Sequence, residues 1–506
     1  IEQYSLIVCK PGDVRYSVNP FKCYYLYISA EDGIIKDILD SLPHQMQAFN
    51  AKIFLDRFFS LLKYPAKHRS EEQPYAELRI VSHVHEIIFR LAENRDFYEK
   101  QKFVNVNVSK AITEAKRFIM KNYNRAVLGT GVIANETAAA LQKNGRNLFA
   151  VGNRTHGKAV AFAEKYNIGK VYDSYDEMLR DDEIDAIHIV TPPSTHADFS
   201  VKALKAGKHC GCTIPMGMSI QELEDVIKAR IESKKQYMFM ETTVFGREYF
   251  YVKDLLDRGK FGKIQYMTCA HYQDMEGWPE YWEGFPPLMH PTHAVAPCLM
   301  LAGHLPDKVY ARGSGKVRKE LADKYGCPFA FESAFISLQD SDVTIEMERF
   351  LYGVARSYSE CFRVYGENES FEWQQLGDED PVLFTRTGEL EKVDILDEDS
   401  EKSSRGSEIV EKRIQIPDYA HLLPKEIASF TTNTVYNNEN THLSFTQGGG
   451  HGGSHPHLVH EFIRSILEER KPAIDDIMGA YWTGTGICAH ESAMKGGEVI
   501  TIPRFE

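Results

Sequence analysis

The chain has 506 residues, 43% hydrophobic and 26% charged, enough to bury large cores and to divide into about two to four domains. Its formal charge of -13, from 59 Lys+Arg against 72 Asp+Glu, excludes a global attraction to nucleic acid or anionic membrane and points to small-molecule chemistry. No run of about 18 apolar residues and no leader with a cleavage site is visible, which predicts a cytoplasmic protein, and nine scattered cysteines predict reduced thiols with no disulfide framework and no metal site.

Residues 1–108 read as a small mixed unit, in which apolar stretches at Tyr4 to Cys9 and Cys23 to Ile28 flank the Pro11-Gly12-Asp13 turn. A connector helix follows over 109–123, with Ile112, Ala115, Ile119 and Tyr123 at helical spacing and Ser109 as its cap. The turn and this helix resemble the sensing half of AraC-type transcription regulators. In that family the connector leads to two helix-turn-helix units, whereas here a β-strand begins at once, so no DNA binding is expected.

From Asn124 strands and helices alternate: a strand at Arg125 to Leu128, a glycine turn opening a helix to about Lys143, and a second strand at Leu148 to Val151. Helices over His156 to Tyr166 and Tyr175 to Leu179 follow, then a strand at Ala186 to Val190 closed by Thr191-Pro192-Pro193, with Ser194 or Thr195 capping the next helix to about Ala206. This repetition predicts an α/β fold, a Rossmann doubly wound parallel sheet over 124–243. The remainder, 244–506, fits a second α/β domain with a large open sheet, carrying an acidic loop from Glu389 to Glu401 and a Gly/His cluster at Gly448 to His455.

Gly129-Thr130-Gly131-Val132-Ile133-Ala134 has the form of a dinucleotide-binding turn. Gly129 permits the tight strand-to-helix turn, Gly131 admits a pyrophosphate without a Cβ in its way, Ala134 allows close packing, and the helix start offers N–H groups to the phosphates. Where a ribose-binding acid usually stands, the chain has Asn153 and Arg154, so NAD is expected and NADP is not excluded. Thr191 and Pro192 end a later strand, where such folds place cofactor and substrate.

The run from Gly129 through Thr191-Pro192-Pro193-Ser194-Thr195-His196 to Ala206-Gly207-Lys208-His209, with Lys471-Pro472-Ala473-Ile474-Asp475, Ser492-Ala493 and Gly496-Gly497, resembles the Gfo/Idh/MocA family of sugar oxidoreductases. The resemblance implies a nicotinamide-binding domain, with His196 among its cofactor-binding residues, followed by an open-sheet domain that holds the sugar and often mediates homo-oligomer formation. Many members carry Glu-Lys-Pro after the fifth strand, with the lysine near the reacting hydroxyl. This chain reads Thr213-Ile214-Pro215, and an aliphatic side chain moves no proton, so acid and base lie elsewhere.

Glu241 to Glu248, Gly259 to Lys263, Pro291 to Pro297 and Gly450 to Gly453 resemble the branch of NAD-dependent glycosidases of the α-N-acetylgalactosaminidase type, which also lacks that lysine. The branch has Asn-Cys-Cys-Tyr where Thr242 to Phe245 stand, and glycines where Ala294 and Ala296 stand. In its chemistry a transient 3-keto group acidifies the neighbouring C–H, the aglycone leaves, water adds and the hydride returns. His293, Tyr272 and His451 are the candidate acid–base groups, since imidazole titrates near neutrality and phenol acts in a relay. Glu241, Arg247 and His290 are candidates for holding sugar hydroxyls, Glu241 and Arg247 alternatively as an ion pair. Two functions are open: an NAD(P)-dependent oxidoreductase of a sugar or glycoside, with or without glycosidic cleavage, or a non-catalytic sugar or cofactor sensor.

Overall fold

In the computed structural model the described residues are 5–7, 45–47, 125–130, 134–135, 138, 148–377, 379–388, 408–424, 428, 431, 434–435, 445–446 and 453–506. Ser5–Ile7 and Gln45–Gln47 pair antiparallel. The rest of 1–108, the connector helix 109–123, the acidic stretch Glu389 to Glu401, Gly131, Val132, Ile133 and His451 lie outside the described residues. Residues 123–506 form one compact unit and 1–122 another.

Parallel strands buried on both faces need covering helices, and the apolar runs of the first half meet that need. The strands are β1 (Arg125–Leu128), β2 (Ala150–Gly152), β3 (Lys170–Tyr172), β4 (Ala186–Ile189), β5 (His209–Cys212) and β6 (Tyr237–Phe239). They line up as β3-β2-β1-β4-β5-β6, all parallel, the order of the dinucleotide-binding folds. The helices between them include α1 (His156–Tyr166), α2 (Tyr175–Arg180), α3 (His196–Lys205) and α4 (Ile220–Ser233). α1 ends at Asn167 in the left-handed conformation, and Ser219 caps α4 by accepting from the Glu222 N–H.

One local expectation changes. α3 begins at the expected place after a 3-10 turn over Pro193–Thr195, but Thr195 makes no side-chain cap. Its hydroxyl donates instead to the Pro192 carbonyl at 2.7 Å. Pro192 and Pro193 tighten the turn, so the nearest acceptor is the carbonyl behind the hydroxyl rather than an amide ahead of it.

Beyond α5 (Arg247–Asp257) the chain builds β7 (Ile264–Tyr272), α6 (Thr292–Ala302), β8 (Pro306–Ser314), α7 (Lys319–Tyr325), β9 (Phe331–Leu338), β10 (Thr344–Phe350), β11 (Ser359–Gly366), β12 (Glu369–Glu372), β13 (Val382–Thr387) and β14 (Glu408–Arg413). Helices α8 (Ser454–Leu467) and α9 (Asp476–Met494) and strand β15 (Ile500–Thr501) complete it. The nine strands run β14-β13-β12-β11-β7-β10-β9-β8-β15. Only β7 and β10 pair in parallel. Burial alternates along β9 and β10, as a sheet with one covered face requires.

The two sheets share their cover. The Phe239 N–H of β6 donates to the Ile474 carbonyl at 3.1 Å, and Phe239 meets Trp482 of α9 edge-on with centroids 6.4 Å apart. Arg230 of α4 pairs with the buried Asp476 at 2.8 Å. Leu458, Phe462 and Ile466 of α8 pack with Ala186, Met238 and Met240. No helix among the described residues is long and apolar enough to cross a membrane.

Candidate functional site

At the carboxyl edge of the parallel sheet, Gly129 leaves β1 with φ +106°, and a Cβ there would lie 1.8 Å from the Val190 carbonyl oxygen. Only glycine lets β1 turn beneath the end of β4. Beside it the Asn153 amide donates to the Thr130 hydroxyl at 2.9 Å, and Asn153 Oδ1 accepts the Thr155 N–H at 2.8 Å. The end of β2 thus presents amide and hydroxyl groups, followed by the exposed Arg154.

Thr191 and Pro192 sit on the neighbouring loop, with the Thr191 and Thr195 hydroxyls 2.7 Å apart. His196 is buried between two loops: Nδ1 is 2.6 Å from the Pro215 carbonyl and Nε2 is 2.7 Å from that of Thr191. Burial lowers its pKa although both carbonyls favour the charged ring. His196 therefore ties the loop after β4 to the loop after β5. The adjoining Ile214 side chain is 8% exposed, an apolar surface where the resemblance leads one to look for a lysine.

The titratable groups gather next to this edge. Glu241, two residues after β6, is fully buried and accepts from the Thr243 N–H and hydroxyl, each at 3.0 Å. Its Oε1 also meets Nδ1 of His293, from the first turn of α6, at 2.7 Å. A carboxylate accepting at Nδ1 fixes the proton there in the neutral ring and makes Nε2 its basic nitrogen. Nε2 faces Glu360 Oε1 at 3.6 Å, too long for a direct hydrogen bond, and Glu360 is hydrogen-bonded to the Tyr358 hydroxyl.

Burial alone would push the His293 pKa down, but the Glu241 and Glu360 carboxylates outweigh it and the net shift is upward. Burial likewise opposes charge on Glu241, and His293 with the surrounding hydrogen bonds outweighs it, so that carboxyl titrates below its usual range.

A row of side chains across the large sheet lines the same place. In register, Arg349 on β10 and Glu360 on β11 flank His271 on β7. The fully buried Arg349 donates to the carbonyls of His271 (3.1 Å), His290 (3.2 Å) and Phe350 (2.6 Å) and to Gln273 Oε1 (3.2 Å). Its guanidinium also stands 3.4 Å from His290 Nδ1. Burial, reinforced by Arg349 and His293, drives the His290 pKa well below the imidazole value. The three imidazoles cluster, with the His271 centroid 5.2 Å and the His290 centroid 5.4 Å from that of His293.

Two sequence-based assignments move. Tyr272 points away from the cluster: successive residues on a strand face opposite sides, so its neighbour His271 faces His293, and the Tyr272 hydroxyl donates to Glu348 at 2.6 Å. Arg247 donates to the Thr431 carbonyl at 3.1 Å, while Glu241 pairs with His293 rather than with Arg247. Glu241 has no exposed surface, and its carboxylate meets Thr243 and the His293 imidazole. His271, Arg349, Tyr358 and Glu360 were not singled out from the sequence. The available signal was ionisable residues on the inward parity of otherwise apolar strands, a pattern readable only once register is known.

Residues 123–241 match the family described as oxidoreductase family, NAD-binding Rossmann fold (Gfo/Idh/MocA). The chain is 29% identical over 141 residues to an uncharacterized oxidoreductase of Rhizobium meliloti, covering 28% of this chain and 42% of that protein. It is 27% identical over 139 residues to an alpha-N-acetylgalactosaminidase of Shewanella oneidensis, covering 24% of this chain and 30% of that protein. The matched stretch thus spans less than half the length of these relatives. Among solved structures, levoglucosan dehydrogenase in complex with NADH and levoglucosan superposes with a TM-score of 0.60 at 15% identity, over 76% of this chain and all of that one. Myo-inositol 2-dehydrogenase from Lactobacillus plantarum gives 0.56 at 18% identity, again over 76% of this chain and all of that one. These likenesses show the fold: a Rossmann sheet joined to a large mixed sheet.

Proposed function

We propose that this chain, which carries a Gfo/Idh/MocA NAD-binding Rossmann domain over residues 123–241, is a nicotinamide-dependent oxidoreductase of a sugar or glycoside, with His293 as its base. The observation that carries the reading is the buried Glu241–His293 pair at the carboxyl edge of the dinucleotide sheet. The glycine turn at Gly129, the Thr130–Asn153 bridge and the Thr191–Pro192 loop would hold the dinucleotide, and with Asn153 and Arg154 at the end of β2 no described carboxylate there opposes a 2′-phosphate. A bound nicotinamide supplies the hydride acceptor.

His293 Nε2 takes the hydroxyl proton as the carbinol carbon loses hydride, and the Glu241 carboxylate stabilises the resulting imidazolium. His290, held neutral, can donate or accept one hydrogen bond to a sugar hydroxyl without adding charge. The redox-neutral variant, in which the oxidised sugar loses its aglycone before being reduced again, is supported by the galactosaminidase relative and by a second carboxylate, Glu360, facing the same imidazole. Incubation with NAD and a panel of sugars and glycosides, following nicotinamide absorbance and released aglycone together, separates the two. Neither signal from any substrate, despite cofactor binding, would leave the sensor reading standing.

Glu360→Gln tests the electrostatics. Removing one of the two carboxylates that raise the His293 pKa should move the rising limb of the pH–rate profile to lower pH. An unmoved limb would show that Glu360 does not act on the imidazole.

A further inference from the structure

Away from His293, three side chains from separate elements converge between the large sheet and α9. Cys327 lies just before β9, Glu332 is on β9 and His490 is on α9; one ligand atom from each falls within 4.8 Å of the others. Cys327 and Glu332 are buried, and the His490 side chain is 16% exposed. Glu332 is already aimed: the Leu288 N–H donates to Oε2 at 2.8 Å, while Oε1 faces His490 Nδ1 at 2.7 Å. The Cys327 thiol has only a weak 3.8 Å contact with the Phe329 carbonyl.

We propose that Cys327, Glu332 and His490 form a binding site for a divalent transition-metal ion of the zinc class. One thiolate, one imidazole and one carboxylate make a borderline-soft donor set, which disfavours calcium and magnesium and suits zinc, cobalt(II) or iron(II). Metal–ligand bonds of about 2.0–2.3 Å put tetrahedral ligand atoms roughly 3.3–3.7 Å apart. The Glu332–His490 pair therefore opens slightly and the thiol draws in, within the reach of side-chain rotation. The partly exposed edge at His490 admits the water that completes four-coordination. As the ion enters, the thiol proton leaves to solvent and the imidazole proton moves from Nδ1 to Nε2, so that the neutral ring binds through Nδ1 and affinity rises with pH. No ligand spacing in the sequence marks this site, because β9 and α9 bring the residues together from distant parts of the chain. It does not depend on the function proposed above.

The test is a cobalt(II) titration of the full chain after dialysis against a chelator. The expected result is one equivalent bound with a near-ultraviolet thiolate-to-cobalt charge-transfer band that zinc(II) abolishes. Cys327→Ser should lose the band, and His490→Ala should weaken binding by roughly tenfold or more. Absence of a thiolate band from the unmodified chain overturns the proposal without recourse to any variant. So does a band that persists in Cys327→Ser, or cobalt affinity unchanged in His490→Ala.

Discussion

His293→Ala should reduce turnover on the best substrate by roughly 10²–10⁴-fold, the usual contribution of a positioned acid–base group, while cofactor affinity stays near that of the unmodified chain. The pH dependence gives the sharper signature. The basic form of His293 is needed and its pKa is raised by Glu241 and Glu360, so activity should climb with pH through a value above the ordinary imidazole figure of about 6.5. The variant should lose that limb. The contribution of the pair to stability also depends on pH. The raised imidazole contributes fully below its unfolded pKa and is lost as pH rises through the folded value; the lowered Glu241 contributes above its unfolded pKa and is lost as pH falls through the folded one. The pair therefore stabilises most between about pH 4.3 and 6.5, and His293→Ala should be most destabilising in that window. Near-normal turnover with an unchanged profile would remove His293 from the chemistry.

Arg349→Met should destabilise the fold by roughly 3–5 kcal/mol, the range for breaking a buried charged network by removing one partner. Methionine keeps most of the apolar stem but supplies none of the donors that now meet the carbonyls of His271, His290 and Phe350. Those acceptors would be stranded in the interior, and the buried Glu360 would lose a nearby cation. The backbone at His290 opens the turn into α6, so a loss in kcat should accompany the loss in stability. Denaturant unfolding followed by circular dichroism measures the first effect. A midpoint within experimental scatter of the unmodified chain would show that Arg349 does not clamp the site.

The dinucleotide half was legible because it rests on local signals. A parallel strand buried on both faces reads as an apolar run, and a Gly-rich turn between strand and helix leaves few alternatives. The predicted helix over His156 to Tyr166 coincides with α1. The large-sheet half was less legible because its geometry comes from strand pairing. His293 was found through its segment, whereas Glu360 and Arg349 become neighbours of His271 only when β11 and β10 settle on either side of β7. Tyr272 and His271 are one residue apart, and on a strand one residue is the opposite face, so His271 joins the imidazole cluster and Tyr272 meets Glu348.

The packing of α9 against both sheets, with α8 and the Ile474 segment covering the edge at β6, has a consequence for how the molecule comes apart. Met238 and Met240 lie under Leu458 and Phe462, and Phe239 relies on Ile474 and Trp482. A fragment cut to the matched region 123–241 would expose that apolar edge and leave the Phe239 amide without its carbonyl, making it prone to self-association rather than a free-standing nucleotide binder. Residues 123–506 should accordingly lose structure in one cooperative step rather than sheet by sheet. During synthesis, β6 must wait for partners encoded far downstream, so the nucleotide sheet reaches its final packing only after most of the large sheet has been made.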